Sequence, residues 1–185
     1  EKWVKLRGIA LASFGVSSVK ASEEDEDVFT YLYAHYKGLM LQKGNPLNIG
    51  EFKDIAGKDV RYVNRQKGSG TRILADYLCK KEGIAPEKIY GYEREELTHT
   101  SVAAQIASGS ADAGMGIYSA AKLYDLDFLP VCIEEYDLLI PDHAWDSPMV
   151  RQLIATLKSR AFREKMEAMG GYTLDRPGEI IDLGY

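Results

Sequence analysis

The sequence predicts an α/β fold, and three observations carry that prediction. Strand-like and helix-like segments alternate from about residue 38 onward, two helices open on runs of hydroxyl residues, and the composition is that of an ordinary globular chain. With 185 residues, 45% hydrophobic and 28% charged, the chain can form one substantial domain or two small lobes, and it falls outside the disordered, collagen-like and coiled-coil classes. Its 28 acidic residues outnumber 23 basic ones, a net charge of −5, so the basic footprint of a nucleic-acid binder is missing and no direct nucleic-acid contact is expected. No stretch approaches the ~20 apolar residues of a membrane span, so no membrane insertion is expected either.

The start, KWVKLRGIALASFGVSSVKAS, shares basic residues and a short apolar run with secretory leaders. A buried strand explains the run equally well, and we expect a strand in a cytoplasmic protein, with a periplasmic or extracytoplasmic location as the alternative. The acidic run EEDED, 23–27, lacks the Asp-x-Asp-x-Asp-Gly spacing of a calcium loop and reads as a solvated loop. GLMLQKG, 38–44, is a strand stopped by Gly44-Asn45-Pro46. NIGEFKDIAG then sets Ile49, Phe52 and Ile55 at helical spacing. VRYVN, 60–64, is a short strand, and RILADYLCKKEG places Ile73, Leu74, Tyr77 and Leu78 on one helical face before Gly83. KIYGY reads as a strand, HTSVAAQIASG as a helix closed by Gly109, DAGMGI as a buried strand and YSAAKLYDL as a short helix. DFLPVCIEEYDLLIP is two strands or one broken strand. Ser147-Pro148 caps an amphipathic helix bearing Met149, Val150, Leu153, Ile154 and Leu157, and RAFREKMEAMGG is a further helix. Alternation of this kind predicts a largely parallel sheet with helices on its faces. Cys79 and Cys132, without C-x-x-C or His-paired spacing, read as core thiols.

Two places carry chemistry. The stretch NRQKGSGTR, 64–72, places Ser69, Gly70 and Thr71 before one helix, and Thr98, Thr100 and Ser101 open another. Each helix start offers unpaired N–H donors, a positive dipole end and hydroxyls. Simple N-capping is the competing reading of the same residues. Two such starts on successive helices of one sheet put their donors at the same carboxyl edge, where α/β proteins bind ligands, and this favours an oxyanion. The P-loop is absent because Gly70 is followed by Thr71-Arg72 and no Lys. Gly68-Ser69-Gly70 with Glu93 approaches a dinucleotide fingerprint, but Ile73 stands at the third glycine's place. His35, His99 and His143 lie in unrelated contexts, and no G-x-S-x-G elbow appears. His99 remains a candidate for lining a pocket.

VRYVNRQKGSGTRILADYLCKKEGI, GYEREELTHTSVAAQIASGSADAGMGI, LDFLPVCIEEYDLLIP and LKSRAFREKMEAMGGYTLDRPGEII, in that order, resemble the substrate-binding-protein-like domain related to periplasmic molybdate-binding proteins. The resemblance covers about residues 38–182. It implies a type II periplasmic-binding-protein fold of two α/β lobes joined by two crossover strands, with an anion in the cleft; the residues before the first crossover are fewer than the family's fuller first lobe has, and an incomplete first lobe is expected. On this resemblance residues 1–59 and 137–185 form lobe I and 60–136 form lobe II. Ser69, Gly70, Thr71 and Arg72 match the family's S-G-T-R loop, Thr98, His99, Thr100 and Ser101 its second helix start, and Tyr118 the end of a cleft strand. The function so implied is non-catalytic binding of a tetrahedral oxyanion, molybdate or tungstate first, without cofactor or metal site. An ABC transporter or a fused regulatory or biosynthetic domain would be the partner. The alternative is an effector-sensing domain of a transcription regulator or molybdenum-cofactor-biosynthesis protein that binds a small organic ligand, and a nicotinamide-dependent enzyme is a third reading.

Overall fold

A computed structural model describes residues 4–11, 27–57 and 59–180. In chain order its elements are β1 (Val4–Leu11), β2 (Asp27–Leu41), α1 (Asp54–Gly57), β3 (Tyr62–Arg65), α2 (Gly70–Glu82), a 3-10 turn (Pro86–Lys88), β4 (Glu95–Glu96), α3 (His99–Ala107), β5 (Ala113–Ile117), α4 (Tyr118–Leu123), β6 (Asp127–Pro141), α5 (Asp142–Trp145), α6 (Pro148–Leu157), α7 (Arg160–Met169) and β7 (Tyr172–Thr173). Val4–Leu11 of the apolar start form strand β1, and the rest of that stretch lies outside the described residues. The acidic run lies outside the described residues except for Asp27, which opens β2. Contacts divide the chain into two compact units, one built on Tyr36–Ile133 and the other on Lys5–His35 with Glu134–Tyr185.

In the first unit the strand order is β6-β2-β5-β3-β4. β3 runs parallel to both its neighbours, Tyr62 and Val63 opposite Ala113 and Gly114 of β5, and Asn64 and Arg65 opposite Glu95 and Glu96 of β4. β2 is antiparallel to β5, Leu39 facing Met115. The sheet is therefore mixed rather than largely parallel. Successive side chains of a strand point to opposite faces, and β3 uses both. Val63 joins Met40, Val102, Ala103, Ile106, Ala111, Ala120 and Ala121 in a core cluster, so α3 and α4 cover that face. Gly114 lets α3 settle close, since a Cβ there would lie 2.6 Å from Val102 Cγ1 and 2.7 Å from Val63 O. Tyr62 points the other way and stacks on Tyr92, centroids 6.0 Å apart, on the side where α2 lies. Leu74, Ala75, Leu78 and Cys79 are the buried residues of α2, together with Thr71 and Arg72.

Three sequence expectations are corrected here. Ile73 and Tyr77 do not belong to the buried face of α2; they are 59% and 46% exposed, because Arg72, Ala75 and Cys79 occupy the positions beside Leu74 and Leu78. The helix expected over NIGEFKDIAG shrinks to α1. Asp54 accepts from the Gly50 and Glu51 N–H groups at 2.8 and 3.2 Å, so it holds a turn where a helix would need its own ladder, although Ile49, Phe52 and Ile55 are all buried. KIYGY is not a strand; Gly91 has φ +90°, Tyr92 N bonds back to Ile89 O at 3.1 Å, and strand pairing resumes only at β4. By contrast DFLPVCIEEYDLLIP is one strand, β6. Cys79 and Cys132 are buried, unbridged thiols, as expected.

In the second unit the strand order is β1-β6-β2-β7. β7 pairs antiparallel with β2, Ala34 opposite Thr173. Leu138 and Ile140 pack with Val150 and Leu157 of α6, and with Leu32, Trp145 and Phe162 around them. Ser147 and Ser159 cap α6 and α7 by accepting from the Val150 and Phe162 N–H groups at 3.3 and 3.1 Å. A separate row of rings, Tyr33, His35, Tyr136 and Tyr172, crosses β2, β6 and β7, with His35 Nε2 3.1 Å from Glu134 Oε2.

Candidate functional site

The parallel strands β4, β3 and β5 end at one edge of the first unit, and each runs into a helix whose amino end stands at that edge. β3 sends α2 to one face, whereas β4 and β5 on either side send α3 and α4 to the other. Divergent exits of this kind open a crevice at the carboxyl ends of an α/β sheet.

At α2, Ser69 has extended backbone, φ −71° and ψ 144°, and its Oγ accepts from Arg72 N at 3.2 Å. Gly70 and Thr71 are the first two helical residues, whose N–H groups precede the first carbonyl of the helical ladder. Thr71 is buried and Gly70 exposed. At α3, Thr98 closes a capping box: its Oγ1 accepts from Ser101 N at 2.9 Å, and Ser101 Oγ accepts from Thr98 N at 3.1 Å. Thr100 Oγ1 lies 3.0 Å from Thr98 Oγ1, and Ser101 Oγ donates to Thr98 O at 3.0 Å. The hydroxyls of this start thus largely bond one another. The His99 and Thr100 N–H groups stand in the first turn, as Gly70 and Thr71 do in α2.

The polar side chains of NRQKGSGTR grip the neighbouring arm, residues 92–97. Asn64 Nδ2 donates to Tyr92 O at 3.2 Å, Arg65 Nη2 donates to Leu97 O at 3.0 Å, and Lys67 Nζ lies 3.0 Å from Glu93 Oε2. Arg72, 4% exposed, donates from Nε to Asp76, from Nη1 to Glu95 and from Nη2 to Glu93 at 3.0, 3.0 and 3.4 Å. Its guanidinium carbon lies 4.6 Å from the Tyr92 ring centroid. Lys67, and then Arg72, hold the Glu93 carboxyl below the usual carboxylate range. Burial pushes the Tyr92 hydroxyl up, and its bond to Asp76 at 2.6 Å adds to this. Tyr118 points elsewhere. It meets Phe128 edge-on at 5.4 Å and lines a hollow of about 440 Å³ with Leu41, Asn45, Ile49 and Asp127, apart from both hydroxyl-rich starts.

The structure therefore brings Ser69–Arg72 and Thr98–Ser101 to one edge through the paired β3 and β4, and it sets the Tyr118 ring in a different hollow. Sequence reading did not single out Asp76, Tyr92 and Glu95, the partners of Arg72. The alternating carboxylates of Glu93-Arg94-Glu95 were the available signal. Among the described residues no group of three or more His, Cys, Asp and Glu side chains is arranged to hold a metal ion, and no helix is long and apolar enough to cross a membrane.

Known proteins share this sequence and this architecture. YvgK of Bacillus subtilis (strain 168), an uncharacterised protein, is 35% identical over 144 residues, which make up 78% of this chain and 46% of YvgK, so the chain spans about half of that relative. An uncharacterised protein encoded in the 5′ region of a 2Fe-2S ferredoxin gene of Clostridium pasteurianum is 34% identical over 110 residues, 59% of this chain and 97% of that protein. Peb3 from Campylobacter jejuni has a similar fold, with a TM-score of 0.54 and 24% identity over 78% of this chain and 67% of that one. A structure of PEB3 with L-phospholactate bound gives a TM-score of 0.51 and 21% identity over the same shares of the two chains. The mixed α/β sheet with its helices is that of a type II periplasmic-binding-protein fold. Residues 12–158 match the PBP-like family model, described as a PBP superfamily domain, and the chain belongs to that family.

Proposed function

We propose that this chain is a small-ligand-binding domain that holds an anionic group reversibly, without chemistry, at the amino ends of α2 and α3. The observation that carries this reading is the divergence of the helices leaving β3 and β4, which gathers two sets of first-turn N–H donors at one sheet edge. The donors are the N–H groups of Gly70, Thr71, His99 and Thr100, with the Ser69 and Thr100 hydroxyls beside them. A tetrahedral oxyanion, molybdate or tungstate first, suits such neutral donors. An organic anion bearing a phosphate or carboxylate is the second reading, favoured by the Thr98, Thr100 and Ser101 hydroxyls, whose mutual bonding leaves few donors for a bare oxyanion. L-phospholactate, held by PEB3, carries both groups and belongs in the test panel.

Titration of molybdate, tungstate, sulfate, phosphate and L-phospholactate tests this. A ligand at ~100 times its dissociation constant raises stability by about 2.7 kcal/mol, read as a higher melting temperature. The site itself is tested by Gly70→Pro. Proline is favoured at the first helical position, and Ser69 already has the extended backbone that a following proline requires. This variant therefore folds and lacks one donor. Its affinity falls by the ~1.5–3 kcal/mol of a hydrogen bond to a charged group. Wild-type affinity in the folded Gly70→Pro protein would move the site elsewhere.

A further inference from the structure

Within this ligand reading, we infer that Arg72 is a positioning residue, one that fixes the start of α3 relative to the start of α2 without touching the ligand. A cation in the first turn of the anion-binding helix would ordinarily be taken as the anion's counter-charge. Here its three nitrogens donate to three different carboxylates, Asp76, Glu93 and Glu95. Its face rests on the Tyr92 ring, and the Tyr92 hydroxyl donates to the same Asp76 oxygen. Turning the guanidinium toward a ligand would strand those carboxylates beside the anion and raise the repulsion it meets. Two of the three belong to the arm that reaches the Thr98 cap two residues after Glu96. The same arm is tied to β3 by Arg65 Nη2 on Leu97 O at 3.0 Å and by Gln66 N on Glu96 O at 3.1 Å. Asp76 lies one turn further along α2. Arg72 thus ties α2 to the segment that presents α3 through Glu93 and Glu95, with Asp76 of α2 itself holding the guanidinium in place.

A planar fork can hold three partners in fixed directions, and a lysine ammonium, a point charge, cannot hold them in the same geometry. Three variants of the full chain, Arg72→Lys, Arg72→Met and Glu93→Gln/Glu95→Gln, separate the roles by two measurements. The first is amide hydrogen exchange across residues 94–101 without any ligand, below the melting transition. A positioning role predicts faster exchange there in all three variants, with the α7 amides unchanged. The second is calorimetric titration with the oxyanion of the panel that binds the wild type. Positioning predicts that Arg72→Lys and Arg72→Met both lose roughly tenfold or more, as misplaced donors do. If Arg72 instead contacts the anion, Arg72→Lys keeps most of the affinity, Glu93→Gln/Glu95→Gln binds more tightly, and exchange across the arm stays at the wild-type rate. Unchanged exchange in Arg72→Met overturns the inference by itself. If no anion binds the wild type, the ligand reading falls, and the exchange measurement still decides whether Arg72 holds the arm.

Discussion

At the scale of single residues, the pair Arg61 and Asp112 offers the clearest linkage between charge and stability. The buried Asp112 carboxylate accepts from Arg61 N, Nε and Nη2 at 2.8, 3.0 and 2.6 Å, fastening the residue before β3 to the residue before β5. The hydrogen bond from Arg61 is the largest cause holding this carboxyl below its ordinary 3.8, while burial acts the other way. A group depressed on folding contributes stability that is full above its unfolded value and lost as pH falls through its folded one. Asp112→Asn therefore lowers stability at neutral pH by about 1.5–3 kcal/mol and flattens the decline below the ordinary carboxylate value. Urea midpoints across the acid range would show this, and parallel curves for the two proteins would refute it. The sequence shows little of this scale. Arg72 is legible as a cation at a helix start, but its partners Glu93 and Glu95 lie 21 and 23 residues away, and only the pairing of β3 with β4 sets them opposite.

Among elements, helix caps were the most legible because their causes are local. Ser69, Thr98 and Ser147 each precede a helix and accept from its third residue, as hydroxyls with extended backbone do. The strand expected at KIYGY failed for a reason that β-propensity cannot report. Gly91 takes φ +90°, and a Cβ there would run into the Tyr62 carbonyl, so Ile89, Tyr90 and Tyr92 form a turn against β3 despite being good strand formers. Gly91→Ala should cost more than the ~1–3 kcal/mol usual for a side chain forced into that region, because its methyl also meets the Tyr62 carbonyl. Thermal melts of this variant beside Gly68→Ala, whose added methyl would meet nothing within 4 Å, isolate the contact with Tyr62 from the cost of positive φ alone. Equal losses in the two variants would show that the Tyr62 carbonyl is not the obstacle.

For the whole molecule, strand and helix alternation predicted the α/β class correctly, and β3 is parallel to both its neighbours as expected, yet the sheet is mixed rather than largely parallel. Periodicity reports which residues face inward and says nothing about direction, so the antiparallel pairing of β2 with β5 was hidden. The extent of β2 was hidden as well. His35 and Lys37, 5% and 2% exposed, interrupt its apolar pattern, and the strand read from Gly38 onward in fact begins at Asp27. Buried polar side chains within a strand are where a binary pattern fails.

The two buried thiols of the Tyr36–Ile133 unit turn the protein into its own reporter of breathing. Cys79 lies on α2 with Sγ 3.7 Å from Tyr92 Oη, next to the Arg72 tie, whereas Cys132 lies on β6 beside a hollow of about 240 Å³. Burial pushes the Cys79 thiol up, so reaction with a disulfide reagent must wait for local opening that admits both reagent and water. Labelling of the two sites, resolved by peptide mass, therefore times two separate openings in one sample. In Arg72→Met, Cys79 should label faster while Cys132 keeps its wild-type rate. Acceleration of both together would mean that α2 opens only with the whole unit.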